Sequence, residues 1–181
     1  MNKFLTTSNW NNRKFNKIID VRSPNEFKND HLVGSINCPV LSDTEREEIG
    51  IIYKKDSPFK AKVIGSTIIS KNISKIIKKY FYDKPGSWRP LIYCWRGGLR
   101  SRSLCLVMNE IGWRTTLLRG GYKFYRNDML KKLETLTSKL KLILISGKTG
   151  TGKTKLLNEI NNFGGQVIDL EKIANHKGSL L

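Results

Sequence analysis

Short apolar runs alternate with segments of helical character along the 181 residues of the chain. Runs of this length, bounded by turn residues, predict strands. They cover residues 17–21, 35–37, 91–93, 115–118, 140–145 and 166–170. Because strands that alternate with helices form parallel sheets covered by helices, the chain is expected to be an α/β protein.

Helices are predicted where apolar residues recur every three or four positions and turn residues stand at the ends. The predicted helices cover residues 43–56, 61–82, 99–111, 122–139 and 155–163, and Pro24 marks a further helix start. Asp43 or Thr44 is expected to cap the first, with Thr44 and Glu47 as a capping box. Gly112 is expected to end the helix that follows Cys94, in the left-handed conformation.

The chain is expected to contain one complete domain and part of another. Residues 1–138 hold enough strands and helices for an α/β domain of ordinary size. Residues 139–181 hold about two strands and one helix, which is too little surface to bury a core. We therefore expect the second domain, 139–181, to be only the opening part of an α/β unit.

The net charge is +18, from 33 Lys and Arg residues against 15 Asp and Glu residues. Such an excess attracts polyanions, of which nucleic acid is the commonest in a cell. The charge therefore favours an RNA partner, although a compositional bias towards lysine on a solvated surface gives the same excess.

Cysteine content and hydropathy exclude several classes of protein. Cys38, Cys94 and Cys105 are too few for a disulfide framework, and no CxxC pair or Cys/His cluster predicts a metal site. The histidines are His31 and His176. The apolar runs are too short to cross a bilayer, and residues 1–10 lack a signal-peptide core. A cytoplasmic protein without membrane segments is expected.

Cys94 lies directly after a predicted strand and before a predicted helix, in a loop that contains Arg96, Gly97, Gly98 and Arg100. Backbone N–H groups at such a helix start form an anion nest. The helix dipole and the two arginines favour a thiolate, so Cys94 is the candidate nucleophile. The alternative is a buried core cysteine in a tight turn.

A second glycine-rich loop follows the predicted strand 140–145 and precedes a predicted helix. It fits the pattern G-x-x-x-x-G-K-[ST], whose backbone N–H groups wrap phosphate oxygens. Lys153 is expected to neutralise the phosphate and Thr154 to hold Mg²⁺. The phosphate-binding residues are Gly147, Lys148, Thr149, Gly150, Thr151, Gly152, Lys153 and Thr154.

Residues 15–126 resemble the rhodanese family. The resemblance lies in residues 19–27, residues 31–39, the loop from Cys94 to Ser101, and residues 118–122. It implies a persulfide carried on Cys94. Asp20, Arg22 and Glu26 are expected to form a structural ion-pair network, and His31 to be a hydrogen-bonding residue rather than a base.

The Cys94 loop differs from many rhodaneses in length, because Arg100 stands six positions after the cysteine rather than five. A Cys-x5-Arg loop is also the pattern of cysteine phosphatases. Phosphatase chemistry is therefore an alternative, although the loop itself offers no acid to protonate a leaving alcohol.

A rhodanese module followed directly by a phosphate loop resembles the tRNA 2-selenouridine synthase family. Further similar segments are residues 57–59, 120–126, 169–171 and 174–179. The resemblance implies a tRNA partner whose wobble 2-thiouridine is first alkylated by geranyl diphosphate. Selenium from selenophosphate then displaces the S-geranyl group. Cys94 is implied in selenium delivery, the phosphate loop as the seat of the diphosphate, and Mg²⁺ as an accompanying ion.

Two alternatives of another kind stay open from the sequence. The chain can be a sulfurtransferase that delivers persulfide sulfur for tRNA thiolation, or a non-catalytic RNA-binding module whose loop only holds phosphate. The family chain extends beyond the length of this one, so the second domain is expected to be incomplete.

Overall fold

The computed structural model describes residues 4–11, 14–148 and 150–175. The chain forms two compact units, which divide between Thr135 and Leu136. The division lies three residues before the predicted domain boundary. The first unit holds the Cys94 loop, and the second holds the phosphate loop.

The first unit is built on a five-stranded parallel sheet, which confirms the predicted α/β fold. The strands are β1 (Leu5–Thr7), β2 (Lys17–Asp20), β3 (Ser35–Asn37), β4 (Pro90–Tyr93) and β5 (Thr116–Leu118). Their spatial order is β1-β5-β4-β2-β3. Strand β1 was not predicted, because its residues carry little apolar signal and it becomes a strand by pairing with the edge of β5.

The helices begin and end close to the predicted positions in the first unit. They are α1 (Pro24–Asn29), α2 (Asp43–Lys55), α3 (Pro58–Ile76), α4 (Leu99–Ile111) and α5 (Gly121–Thr137). The second unit contains α6 (Lys153–Asn162) and α7 (Leu170–Ile173). Gly112 ends α4 at φ 110°, as predicted. Across the described ranges, no helix combines the length and the apolar character needed to cross a membrane.

Two details of these helices correct the prediction. Helix α2 is capped by Ser42, whose Oγ accepts a hydrogen bond from the Glu45 N–H at 3.2 Å, so the capping box predicted at Thr44 and Glu47 is wrong. The predicted helix 61–82 is α3 followed by a π-helical turn, Ile77–Phe81. Its glycine at position 65 stays inside the helix and is buried against Ile49.

Each face of the sheet buries its own apolar cluster, because alternate residues of a strand point to opposite faces. Ile92 packs on the face covered by α3 and α4, whereas Leu91 and Tyr93 pack with Tyr122 of α5. Cys94 belongs to the first cluster. The thiol therefore lies where β4 leaves the core.

A buried ion pair lies at the carboxyl end of β2. Arg22 and Asp20 are almost fully buried, with Nη2 and Oδ2 at 2.7 Å. The guanidinium also donates to the Asp30 carbonyl at 2.7 Å and lies 3.9 Å from the centre of the Tyr122 ring. Burial alone would lower the pKa of Arg22, but the hydrogen bond and charge of Asp20 outweigh it and raise that pKa.

The second unit departs from the prediction. Between residues 136 and 175, the described positions contain helices α6 and α7 but no strand, so the strands predicted at 140–145 and 166–170 are wrong for this chain. A strand needs a paired neighbour, and neither segment has one within these positions. Ile143 is accordingly 93% exposed. Asp169 caps α7 by accepting a hydrogen bond from the Lys172 N–H.

We expect Arg22→Ala to reduce the free energy of unfolding by about 3–5 kcal/mol, because it leaves the Asp20 carboxylate buried without its partner. Urea denaturation of the wild type and the variant measures the difference. Lys60→Ala is the control, since the Lys60–Asp56 pair is exposed and is expected to contribute at most about 1 kcal/mol. Equal losses in the two variants would contradict this assignment.

Candidate active site

The Cys94 side chain lies under the backbone turn that leads into α4. Its Sγ atom is 3.2 Å from the Gly98 N–H, which donates to it, and 3.1 Å from Ser101 Oγ. Ser101 is fully buried in the first turn of α4. A sulfur atom at a helix start with a backbone donor and a hydroxyl beside it is suited to hold negative charge. The predicted nucleophile therefore has the surroundings of one.

A second backbone segment holds this loop from behind. The Tyr122 N–H donates to the Cys94 carbonyl at 2.9 Å, and the Lys123 N–H donates to the Trp95 carbonyl at 3.0 Å. Gly121, at φ +60°, permits this approach, because a Cβ atom there would overlap the Cys94 carbonyl oxygen and lie 2.9 Å from the Gly97 nitrogen. The sequence showed this glycine only as the end of a strand-turn.

Arg100 is paired with Glu26 rather than directed at the thiol. Its Nη1 lies 2.6 Å from Glu26 Oε2, and its Nη2 lies 3.3 Å from Oε1. Arg46 of α2 approaches the same carboxylate at 3.2 Å. The expected network of Asp20, Arg22 and Glu26 is thus two separate clusters, and Arg96 is the exposed arginine of the loop.

The pairing changes the ionisation of Glu26. Burial acts to raise the pKa of Glu26, but the hydrogen bond and charge of Arg100, with the Ser23 N–H and Arg46, lower it to about 2. The carboxylate is therefore ionised throughout the neutral range. Its negative charge offsets that of Arg100 beside the loop.

The mouth of the loop is apolar as well as basic. Trp95 is 38% exposed and Leu99 is 46% exposed, although they flank a thiol that is 3% exposed. The Trp95 ring packs at 5.2 Å against the ring of Tyr122. The sequence contained Trp95 within the motif but indicated no role for it, because its exposure depends on how the loop folds.

His31 has the hydrogen-bonding role that was expected. Its Nδ1 lies 2.9 Å from the Phe27 carbonyl, and its ring stacks on the Phe27 ring with centres 3.9 Å apart. These contacts fix the imidazole at the end of α1. His176 lies outside the described residues.

The phosphate loop curls around the side chain of Lys153. The Lys153 ammonium donates to the carbonyl oxygens of Gly147 and Lys148, both at 2.8 Å. Gly150 and Gly152 both have φ +80°, and α6 begins directly after Gly152. Thr149 lies outside the described residues.

The described part of this loop presents groups of the kind that bind a phosphate. The N–H groups at the start of α6 and the Lys153 ammonium lie at one end of the segment, where the helix dipole favours an anion. Thr151 Oγ1 donates to the Lys148 carbonyl at 2.8 Å and closes the turn. Within residues 4–11, 14–148 and 150–175, no three His, Cys, Asp or Glu side chains cluster as metal ligands.

Comparison with known families gives two matches, which lie on either side of the division between the two units. Residues 6–128 match the rhodanese-like domain, and residues 140–181 match the AAA domain of tRNA 2-selenouridine synthase. The two motifs that carry the candidate chemistry therefore fall in two different family matches.

Curated relatives are similar over most of this chain. The tRNA 2-selenouridine synthases of Sulfurovum sp. and Bdellovibrio bacteriovorus are 36% and 35% identical to it over 163 and 170 residues. Each alignment covers 90% of this chain, but only 44% and 42% of the respective relative. The chain thus spans less than half the length of the relatives it matches.

One solved structure is similar to the chain in fold and in sequence. It is the N-terminal domain of a protein described as ATP/GTP-binding from Clostridium difficile 630, with 33% identity and a TM-score of 0.55. The match covers 62% of this chain and 88% of that domain.

We expect iodoacetamide to alkylate Cys94 well before the other two cysteines. Burial and the Asp20 charge raise the pKa of Cys38 to about 12, so only about one molecule in ten thousand is a thiolate at pH 8. Burial also raises the pKa of Cys105. Intact-mass measurement should show one adduct, which Cys94→Ser removes and Cys105→Ser retains. Faster modification of Cys105 would contradict the assignment of the nucleophile.

We expect part of the stability to be lost as the pH falls from about 4.5 to about 2. The pKa of Glu26 is lower in the folded chain, so its contribution is present above 4.5 and disappears as the carboxylate protonates. In Glu26→Gln, the loss in free energy of unfolding over this pH range should be smaller than in the wild type by about 1–3 kcal/mol. Urea denaturation at several pH values measures it. Asp56→Asn, in the exposed pair with Lys60, should leave it unchanged. A profile that Glu26→Gln does not alter would show that the Arg100 pair contributes no stability.

Proposed function

Since the chain belongs to the rhodanese-like domain family, we propose that it acts in the replacement of sulfur by selenium in the wobble 2-thiouridine of tRNA. In this function the Cys94 loop serves the selenium step, and the phosphate loop serves the preceding alkylation. Curated tRNA 2-selenouridine synthases match both segments in the same order. We also propose a cytoplasmic location, where tRNA is modified.

The observation that carries the proposal is the environment of the Cys94 sulfur. The Gly98 N–H, which donates to the sulfur at 3.2 Å, would stabilise a negative sulfur or selenium atom at the start of α4, and the Ser101 hydroxyl lies 3.1 Å from the same sulfur. The carbonyl of the same residue is held by the Tyr122 N–H. This environment supports the proposal that the loop holds an anionic chalcogen atom rather than a neutral core thiol.

The chemistry requires two displacements. In the first, the sulfur of 2-thiouridine forms a bond to C1 of geranyl diphosphate, and diphosphate leaves. In the second, selenium from selenophosphate bonds to C2 of the base while the geranyl thiolate leaves, and water takes the phosphoryl group as phosphate. Cys94 acts in the second displacement, where an anionic chalcogen has to be held beside the base.

The phosphate loop suits the diphosphate of the first displacement. Lys153 now bonds the carbonyls of Gly147 and Lys148, and phosphate oxygens are stronger acceptors for the same ammonium. Residues Gly147 to Thr154 would wrap the diphosphate, and Thr154 would hold Mg²⁺ where it accompanies the ligand. The diphosphate leaving group would gain negative charge next to these donors.

The basic surface of the first unit suits the tRNA. The exposed cations include Lys123, Arg126, Lys131 and Lys132 on α5, and Arg102 and Arg114 on and after α4. Lys132 is also paired with Asp128, so its charge is partly offset. A net charge of +18 supplies the attraction to a polyanion that a tRNA-modifying chain needs.

The sulfurtransferase remains the second candidate, because the same thiol environment suits a persulfide. Transfer from thiosulfate would leave a persulfide on Cys94 and release sulfite. The phosphatase alternative is disfavoured, because Arg100, which would bind the phosphate, is paired with the Glu26 carboxylate at 2.6 Å.

We expect the chain to convert tRNA that already carries S-geranyl-2-thiouridine into 2-selenouridine when selenophosphate is supplied. Cys94→Ala should abolish this conversion, because the chalcogen anion is no longer held beside the base. The nucleosides are quantified by digestion and mass spectrometry. Lys153→Ala is the matched control, and it should keep the conversion because the alkylation step has been bypassed.

The reverse pattern is expected for binding of geranyl diphosphate. Lys153→Ala removes a hydrogen bond to a charged group, worth about 1.5–3 kcal/mol, and so should weaken binding about tenfold or more. Cys94→Ala should leave calorimetric binding unchanged. Selenation that survives Cys94→Ala would overturn the role of the thiol. Persulfide formation from thiosulfate without any selenation would favour the sulfurtransferase.

A further inference from the structure

Trp95 presents an aromatic face to solvent directly beside the thiol. It is 38% exposed, whereas Trp88 and Trp113 are each 7% exposed and pack in the core. Leu99, at the other end of the loop, is 46% exposed. Neither side chain is fully packed in the core, so both are accessible to a partner.

The Trp95 ring is supported from behind. It packs against Tyr122, with ring centres 5.2 Å apart and planes 34° apart. Tyr122 is buried and lies in turn on the Arg22 guanidinium at 3.9 Å. The Trp95 carbonyl accepts the Lys123 N–H at 3.0 Å. A ring held in this way loses little conformational entropy when a flat group stacks on it.

The charges around the ring match a nucleotide rather than an apolar peptide or lipid. Arg96 follows Trp95 directly and is exposed, and Lys123 is exposed where its N–H meets the Trp95 carbonyl. An aromatic face bordered by cations is the arrangement that binds single-stranded nucleotides, by stacking the base and attracting the phosphate.

We propose that the exposed face of Trp95 stacks the pyrimidine base whose chalcogen atom is exchanged. The inference rests on the proposed function and adds the residue that binds the base. Stacking on Trp95 brings the base to the residue next to Cys94 and leaves its edge free for reaction. Arg96 and Lys123 then lie within reach of the phosphates that flank an unstacked nucleotide.

The test compares Trp95→Leu and Trp95→Phe with the wild type. Leucine keeps an apolar side chain and removes the aromatic face, whereas phenylalanine keeps a smaller face. Affinity is measured by fluorescence anisotropy with an anticodon stem-loop RNA that carries 2-thiouridine at the wobble position. The same RNA with an abasic wobble site is the matched ligand.

We expect Trp95→Leu to weaken binding of the base-bearing RNA by about 5- to 100-fold, as loss of one stacked base does. Trp95→Phe should keep most of the affinity. On the abasic RNA the three proteins should bind equally, because the partner of Trp95 is then missing.

Salt dependence separates stacking from charge. Trp95→Leu should leave the slope of log affinity against log salt unchanged, because it removes no phosphate contact. Lys123→Ala should flatten the slope by about 0.7–0.9. Alkylation of Cys94 at the wild-type rate shows that the loop is intact in Trp95→Leu. If the alkylation rate of Trp95→Leu differs from that of the wild type, the test rests on the wild type and Trp95→Phe. Both of these proteins must then bind the base-bearing RNA more tightly than the abasic RNA.

Equal binding of the base-bearing RNA by wild type and Trp95→Leu would overturn the inference. So would an equal loss of affinity by Trp95→Leu for both RNAs, or a wild type that does not distinguish them. The proposed function fails separately, when Cys94→Ala still converts S-geranylated tRNA while the effect of Trp95 on binding persists. That result would leave a base-binding surface with another chemistry.

Discussion

A single buried guanidinium joins the parts of the first unit that build the thiol loop. Arg22 bonds Asp20 at the end of β2 and the Asp30 carbonyl after α1, and its planar face lies on the ring of Tyr122 in α5. A buried charge is tolerated only when its donors are satisfied, and here a carboxylate and a carbonyl satisfy them. Since these groups come from three elements, the ion pair fixes their relative positions.

Tyr122 connects Arg22 to the loop that contains Cys94. Its ring lies between Arg22 and Trp95, and its N–H bonds the Cys94 carbonyl. The glycine before it lets two backbone segments approach at a distance that any side chain would prevent. The backbone of the thiol residue and the tryptophan ring are consequently held against the core by one tyrosine.

The arginines of the loop differ in their surroundings, although the net charge of the chain is +18. Glu26 pairs with Arg100, and the pKa of this carboxyl, about 2, keeps it charged throughout the neutral range. Arg96 stays exposed at the mouth. Positive charge is thus exposed beside the loop, while the sulfur itself accepts a hydrogen bond from a backbone N–H.

The parallel α/β fold, the position of the Cys94 loop before a helix and the position of the second glycine-rich loop before a helix could all be predicted from the sequence, because each depends on local order. The partner of Arg100, the exposure of Trp95 and the closeness of Gly121 to Cys94 depend on the tertiary structure, since these contacts join residues 27 to 74 positions apart. Strand β1 also depends on the tertiary structure, because its residues carry little apolar signal and form a strand by pairing with β5. The segments 140–145 and 166–170, by contrast, have an apolar signal but form no strand. An apolar run alone does not make a strand, because its backbone groups need a partner to bond.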